Sequence, residues 1–185
     1  MVGSNDIHST LDALTGLASA NALNEFLSFE FARTGLSANS LSLLHIDPDR
    51  FSVINTKFRR ETGDRLLRSL AALLRTLARP GDLAARYQRE TMVWVLPHMG
   101  RAESAIIAEE LRRAVAVQSS TWGEISVPLT VSVGVASLDR CSRFHGPAEL
   151  LAAAGLAVHA AKRAGRNCVR VFAGSRQSPG APKAA

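Results

Sequence analysis

The side chains best equipped for chemistry crowd one stretch, Arg79 to Pro97. Arg79 and Asp82 flank Pro80-Gly81, a turn dipeptide, and offer a forked cation and a carboxylate three residues apart. Arginine stacks on a purine face or pairs with N7, O6 or a phosphate, and a nearby aspartate takes guanine N–H donors. The plain alternative is a salt bridge within the turn, worth little on a surface. Glu90 falls at the tip between two strand-like runs, Leu83–Tyr87 and Met92–Pro97, where a lone acid needs a reason.

Three further groups carry chemistry. Asp47 ends the apolar run Leu41–Ile46, and with Glu90 it would supply the carboxylates that magnesium takes alongside water and substrate phosphates. Thr91 follows Glu90 where a second acid would help, and a hydroxyl is a weak magnesium ligand. Asp47 as a helix cap and Glu90 as a solvated turn residue form the alternative. Lys162 and Arg166 lie four apart near a helix end, placed either to hold phosphates or to complement the helix dipole. Asn55 and Asp64 flank a helical corner, where an amide and a carboxylate can read a guanine edge, unless Asp64 is only a helix N-cap.

The elements that must position these groups follow from periodicity. Asn21–Ala32 and Phe51–Phe58 read as helices, and Leu41–Ile46 as a strand stopped by Asp47-Pro48-Asp49. Thr34–Ser40 reads as a loop. Gly63-Asp64 opens a leucine-rich helix that Pro80-Gly81 ends. After the hairpin come a helix over Glu103–Val117, an alternating strand over Pro128–Ala136, an alanine-rich helix over Pro147–Ala164 stopped by Gly165, and a strand over Cys168–Phe172. The inner part is a β-α-β-β-α-β unit, the split βαβ arrangement. Closed in the usual way, it makes the first strand and the second hairpin strand central antiparallel neighbours, with Asp47 beside Glu90.

Bulk numbers bound the answer. With 185 residues, 46% of them hydrophobic, the chain suits one domain with a proper core. No apolar run is long enough for a membrane helix, the polar N-terminus lacks a secretory apolar region, and Cys141 and Cys168 read as reduced thiols, so a cytoplasmic location without membrane insertion is expected. The net charge of +6 is scattered and aromatics are only 5%, which fits a small anionic ligand better than a nucleic acid. Residues 1–11 and the Gly/Pro/Ser/Ala-rich residues 174–185 read as flexible ends around a domain over 12–173.

Taken in order, Asp12-Ala-Leu-Thr-Gly-Leu17, Asp47-Pro-Asp-Arg-Phe51 with Asn55, Gly63-Asp64, Ala85-Arg86-Tyr87, Leu96-Pro97, Val131-Ser-Val-Gly-Val-Ala136 and Ala161-Lys162 with Gly165-Arg166-Asn167 resemble one family, the GGDEF or diguanylate cyclase domain, across nearly the whole chain. The resemblance implies an α+β fold: a central, mostly antiparallel five-stranded sheet with a ferredoxin-like βαββαβ core flanked by helices, nucleotidyl cyclase-like. It implies that Asn55 and Asp64 match a guanine-reading pair, Lys162 and Arg166 a phosphate-binding pair, and Asp47 and Glu90 metal ligands, with the Pro48 carbonyl a third. Arg79 and Asp82 match the family's inhibitory RxxD site for cyclic di-GMP, the product made from two GTP molecules.

The departures gather at the reaction centre. Gln88 and Arg89 stand in place of paired glycines, Thr91 in place of the second signature acid, Ser52 in place of a phosphate-binding lysine, and Arg59-Arg60 in place of Gly-His. Losing one transition-state contact costs about 100- to 1000-fold in rate. The expectation is therefore a degenerate, catalytically inactive domain that acts as a cyclic di-GMP receptor, with no required cofactor and magnesium only where GTP binds. A protein partner and a ligand-linked homodimer are expected. A GTP-binding regulatory domain, a nucleotide-independent interaction module and an active cyclase are the alternatives.

Overall fold

The computed structural model describes residues 10–35, 39–118, 127–139 and 144–173. Ten elements follow one another: α1 (Ala20–Gly35), β1 (Leu41–Pro48), α2 (Phe51–Phe58), α3 (Arg60–Leu77), β2 (Leu83–Gln88), β3 (Thr91–Pro97), α4 (Arg101–Gln118), β4 (Val131–Leu138), α5 (Pro147–Arg163) and β5 (Val169–Val171). They form a five-stranded sheet in the order β2-β3-β1-β4-β5, in which only the β4–β5 pair is parallel. The expected α+β class and the central β1–β3 pairing both hold.

Alternation along β1 divides the core in two. Leu44 and Ile46, with Met92, Trp94 and Leu96 of β3, pack under α3 and α4. Leu41 and Leu43, with Val93 and Val95, pack under α1 and α5. Asp47 continues the second series and faces α5. The alanines of α5 are the reason that helix lies so close to the sheet. At Gly134 of β4 an added Cβ would stand 2.1 Å from the Ala154 carbonyl oxygen and 2.4 Å from Val158 N, so no larger residue fits there.

Several boundaries differ from the sequence reading. β1 runs through Asp47 and Pro48, because both continue the ladder with β4, opposite Ser132 and Val131. α3 begins at Arg60, not Gly63, and ends at Leu77, ahead of Pro80-Gly81. Asp64 is therefore interior to the helix and does not cap it. Thr34 and Gly35 belong to α1, residues 36–38 of the expected loop lie outside the described residues, and β4 starts at Val131. Near the start of the described residues, Leu11 bridges Ala18, whose amide donates to Ala84 O at 3.1 Å and covers the outer edge of β2. The two ends expected to be flexible fall mostly on residues 1–9 and 174–185, outside the described residues, as does Cys141. Cys168 is a free thiol.

Candidate functional site

The residues singled out by type meet at two places, at opposite ends of the central strands. The first lies around the C-terminal end of β1. The last β1–β3 pair is Ile46–Met92, which leaves Asp47 one residue beyond it on the side of the hairpin tip that carries Arg89 and Glu90. α2 leaves the same strand end through Asp49 and Arg50. α5 reaches it from the far side, and Lys162 Nζ lies 2.8 Å from Asp47 Oδ1. A metal ligand and a phosphate ligand of the family pattern are thus paired with each other.

Asp49 is the hub that fixes this corner, and sequence reasoning gave it no role beyond ending the strand. Its buried carboxylate accepts hydrogen bonds from Thr130 Oγ1 and Ser132 Oγ, each at 2.7 Å, and from the Asn167 amide at 2.9 Å. The α5–β5 turn is therefore clamped to the end of β1. Arg112 of α4 adds a bond from Nη1 to Asn167 Oδ1 at 2.8 Å. Arg166 sits exposed in that turn at φ 68°.

Asn55 of α2 lies against Gly63 of α3, the residue before Asp64. Asn55 Oδ1 is buried and accepts no hydrogen bond. It lies directly over Gly63, where an added Cβ would stand 2.0 Å from it, so glycine at this helical position makes room for the amide. Burying an unpaired acceptor costs free energy.

The hairpin tip is held from below. Arg86 donates from Nε to Arg89 O at 2.6 Å and from Nη1 to both carboxylate oxygens of Asp12 at 3.2 Å. Asp12 also accepts from the Thr15 amide and hydroxyl. Burial pulls the Asp12 carboxyl upward, but the bonds from Thr15 and Arg86 outweigh it and hold the group below its ordinary value. Arg89, in place of a family glycine, is kept at φ 40° by this clamp.

Beside Asp47, His45 faces the α1–α5 side of the sheet. Burial pushes its imidazole down to about 4; Asp47 opposes the shift, while His159 and Lys162 add to it. It meets Tyr87 edge to face at 6.1 Å between centroids. Both line a cleft of about 510 Å³ with Leu27, Leu151 and Gly155. No sequence signal marks it, because its walls come from α1, β1, β2 and α5.

The second place is the turn before β2, at the other end of the sheet. Asp82 carries a side chain only 1% exposed, and Arg79 closes over it with Nη2 2.9 Å from Oδ1 and Nε 3.3 Å from Oδ2. The Arg79 amide donates to Oδ2 at 3.0 Å, and Nη2 also reaches Pro97 O at 3.2 Å. The pair is therefore not two exposed groups side by side. Asp82 is a buried anchor, and Arg79, 45% exposed, is the surface it presents. Pro97 pairs with Leu41. The six-residue rise along β1 from there to Asp47 sets the two places about 20 Å apart.

The groups around Asp47 depart from those that the family resemblance implies for a divalent ion. Lys162 already holds the carboxylate, Thr91 supplies a hydroxyl where the family has an acid, and no group of three or more His, Cys, Asp or Glu able to hold a metal occurs among the described residues.

Comparison with known proteins bears on the family and the fold. Residues 9–168 match the family model described as "Diguanylate cyclase, GGDEF domain". The chain is 34% identical over 160 residues to the response regulator PleD of Caulobacter vibrioides, covering 85% of this chain and 35% of that protein. It is 33% identical over 160 residues to the diguanylate cyclase DgcP of Pseudomonas aeruginosa, covering 86% of this chain and 23% of that protein. The chain thus spans less than two fifths of the length of the curated relatives it matches. The GGDEF domain of DgcB from Caulobacter crescentus, solved in complex with c-di-GMP, superposes with a TM-score of 0.80 at 29% identity, covering 93% of this chain and 96% of that one.

Proposed function

This chain belongs to the GGDEF family, and from that premise we propose that it binds cyclic di-GMP without making it. The observation that carries the reading is the Arg79–Asp82 turn. Asp82 is spent on fixing Arg79, so the guanidinium reaches the surface already oriented, with its outer edge open to a guanine N7 and O6 or to a phosphate. Direct contact between Asp82 and a guanine is not needed for this role. The solved c-di-GMP complex of the DgcB domain supports the ligand class.

The reaction centre supports inactivity. Gln88 and Arg89 occupy the tip, Thr91 replaces an acid, and Asp47 is neutralised by Lys162. Each removes or masks a group that positions GTP for attack. Calorimetric titration with c-di-GMP, repeated on Arg79→Ala, tests the reading. Micromolar binding lost in the variant is expected, and absence of binding to the wild type refutes it. Incubation with GTP and magnesium is expected to give no product, and formation of cyclic di-GMP would make the chain a cyclase.

A second reading is favoured by one feature, the unpaired Oδ1 of Asn55. With Asp64 it forms a guanine-reading corner, and Lys162 and Arg166 lie across the strand end for the phosphates. In this reading GTP is a regulatory ligand, in keeping with a domain whose output passes to a protein partner or a second copy.

A further inference from the structure

The cleft between α1 and α5 is used by neither reading above. It holds about 510 Å³, within the range of small-molecule sites. Leu27, Leu151 and Ala152 give it apolar walls, and no carboxylate, ammonium or guanidinium lines it. Of its polar groups, the Ser28 hydroxyl is already spent on Asn24 O at 2.7 Å. His45 is not. Its Nδ1 is buried without a partner, so no protein group on that side fixes which ring nitrogen carries the proton. Nε2 lies on the side of α5, toward Gly155.

Gly155 is a second, independent observation. It sits in the interior of α5, where glycine weakens a helix. Packing does not require it. An added Cβ would meet only His45 Cδ2 and Nε2, both at 3.9 Å, an ordinary contact, whereas at Gly134 it would run into the α5 backbone. The missing side chain instead leaves the edge of the imidazole uncovered. Tyr87 meets the same ring edge to face, with planes 76° apart, and adds an aromatic wall.

We propose that this cleft binds an uncharged aromatic molecule bearing one hydrogen-bonding group, with its ring against Tyr87 and Leu151 and its polar group on His45 Nε2. A charged ligand would be buried here without a counter-ion. That sets the cleft apart from the cyclic di-GMP and GTP readings, whose ligands carry phosphates, and the proposal rests on neither. Aromatic rings pair edge to face or offset, so a planar ring extends the His45–Tyr87 arrangement where a saturated ring of the same size does not. A hydroxyl both donates and accepts, and suits an imidazole whose proton is not fixed by the protein.

Proton–nitrogen correlation spectra of the labelled full chain test this with three probes of similar size. Thymol is expected to shift the His45 ring nitrogens and the Gly155 amide with a Kd of about 1 mM or tighter. Menthol, its saturated counterpart, is expected to bind at least about threefold more weakly, and the carboxylate cuminate at least about tenfold more weakly. Ala152→Leu, at an exposed position of the wall, is expected to weaken thymol at least about tenfold with the circular dichroism unchanged, and Gly155→Leu repeats the test from beside His45. His45→Phe keeps a ring without the nitrogens and is expected to weaken thymol at least about threefold. No shift at His45 with thymol up to about 3 mM, menthol or cuminate binding as tight as thymol, or thymol binding that survives Ala152→Leu or His45→Phe overturns the proposal. Self-association of the ligand-free chain that Ala152→Leu abolishes would mean that a second copy covers the cleft, and overturns it as well.

Discussion

Replacing Asn55 by alanine is expected to make the protein more stable. Asn55 Oδ1 is buried without a donor, and such an acceptor costs about 1–3 kcal/mol. The residue is interior to α2, where alanine is favoured over asparagine by up to about 0.7 kcal/mol. Against this stands the loss of the amide's packing over Gly63, a partly buried group of small area, worth about 1 kcal/mol. The balance is a gain of about 1–2 kcal/mol, or roughly 3–6 °C in Tm for a domain of this size. Urea unfolding followed by circular dichroism, with the denaturant slope unchanged, measures it. On the GTP reading, GTP binding measured in parallel is expected to fall at least about tenfold, because that reading gives Asn55 a guanine contact. A residue that costs stability and serves binding shows this opposition. If Asn55→Ala is instead less stable than wild type by more than about 0.5 kcal/mol, the amide is a structural group and the argument from its unpaired oxygen fails.

Other substitutions probe the scaffold around the two sites. Asp49→Asn removes the charge that three donors share and turns a donor toward them; a loss of about 2–3 kcal/mol in urea unfolding is expected, and a loss under about 1 kcal/mol would mean that Asp49 does not clamp the corner. Arg89→Gly relieves a positive φ of 40° at the tip and should raise stability by up to about 1 kcal/mol, with a decrease indicating that the Arg89 side chain contributes contacts of its own. Hydrogen bonding from Arg112, opposed by burial and reinforced by Arg113, lowers Glu109 from 4.5 to about 2. Its folded value is depressed, so its contribution is present above the unfolded value and lost as pH falls from about 4.5 toward 2. Thermal unfolding across that window should therefore drop less steeply in Glu109→Gln than in wild type, and identical slopes would refute the assignment.

The sequence by itself determined the local elements and the chemistry of the side chains. Helical spacing over Phe51–Phe58 gave α2 with its observed limits, and two apolar runs around Glu90 gave the hairpin, because periodicity and turn residues act over a few positions. The β-α-β-β-α-β order restricted the sheet enough to make β1 and β3 neighbours. Even so, α3 passes through Gly63, since the missing Cβ that usually weakens a helix is what lets Asn55 sit there. Only the tertiary structure decided how the charges pair. Asp49 draws its donors from residues 81, 83 and 118 positions away. Lys162 comes to Asp47 through the packing of α5 on Gly134, and Asp82 is hidden by the arginine that spacing alone would place beside it on an open turn. Such pairings depend on sheet register and on the close approach of helix to strand. Those are set by the whole core at once, so residue type and spacing identify the groups but not their partners.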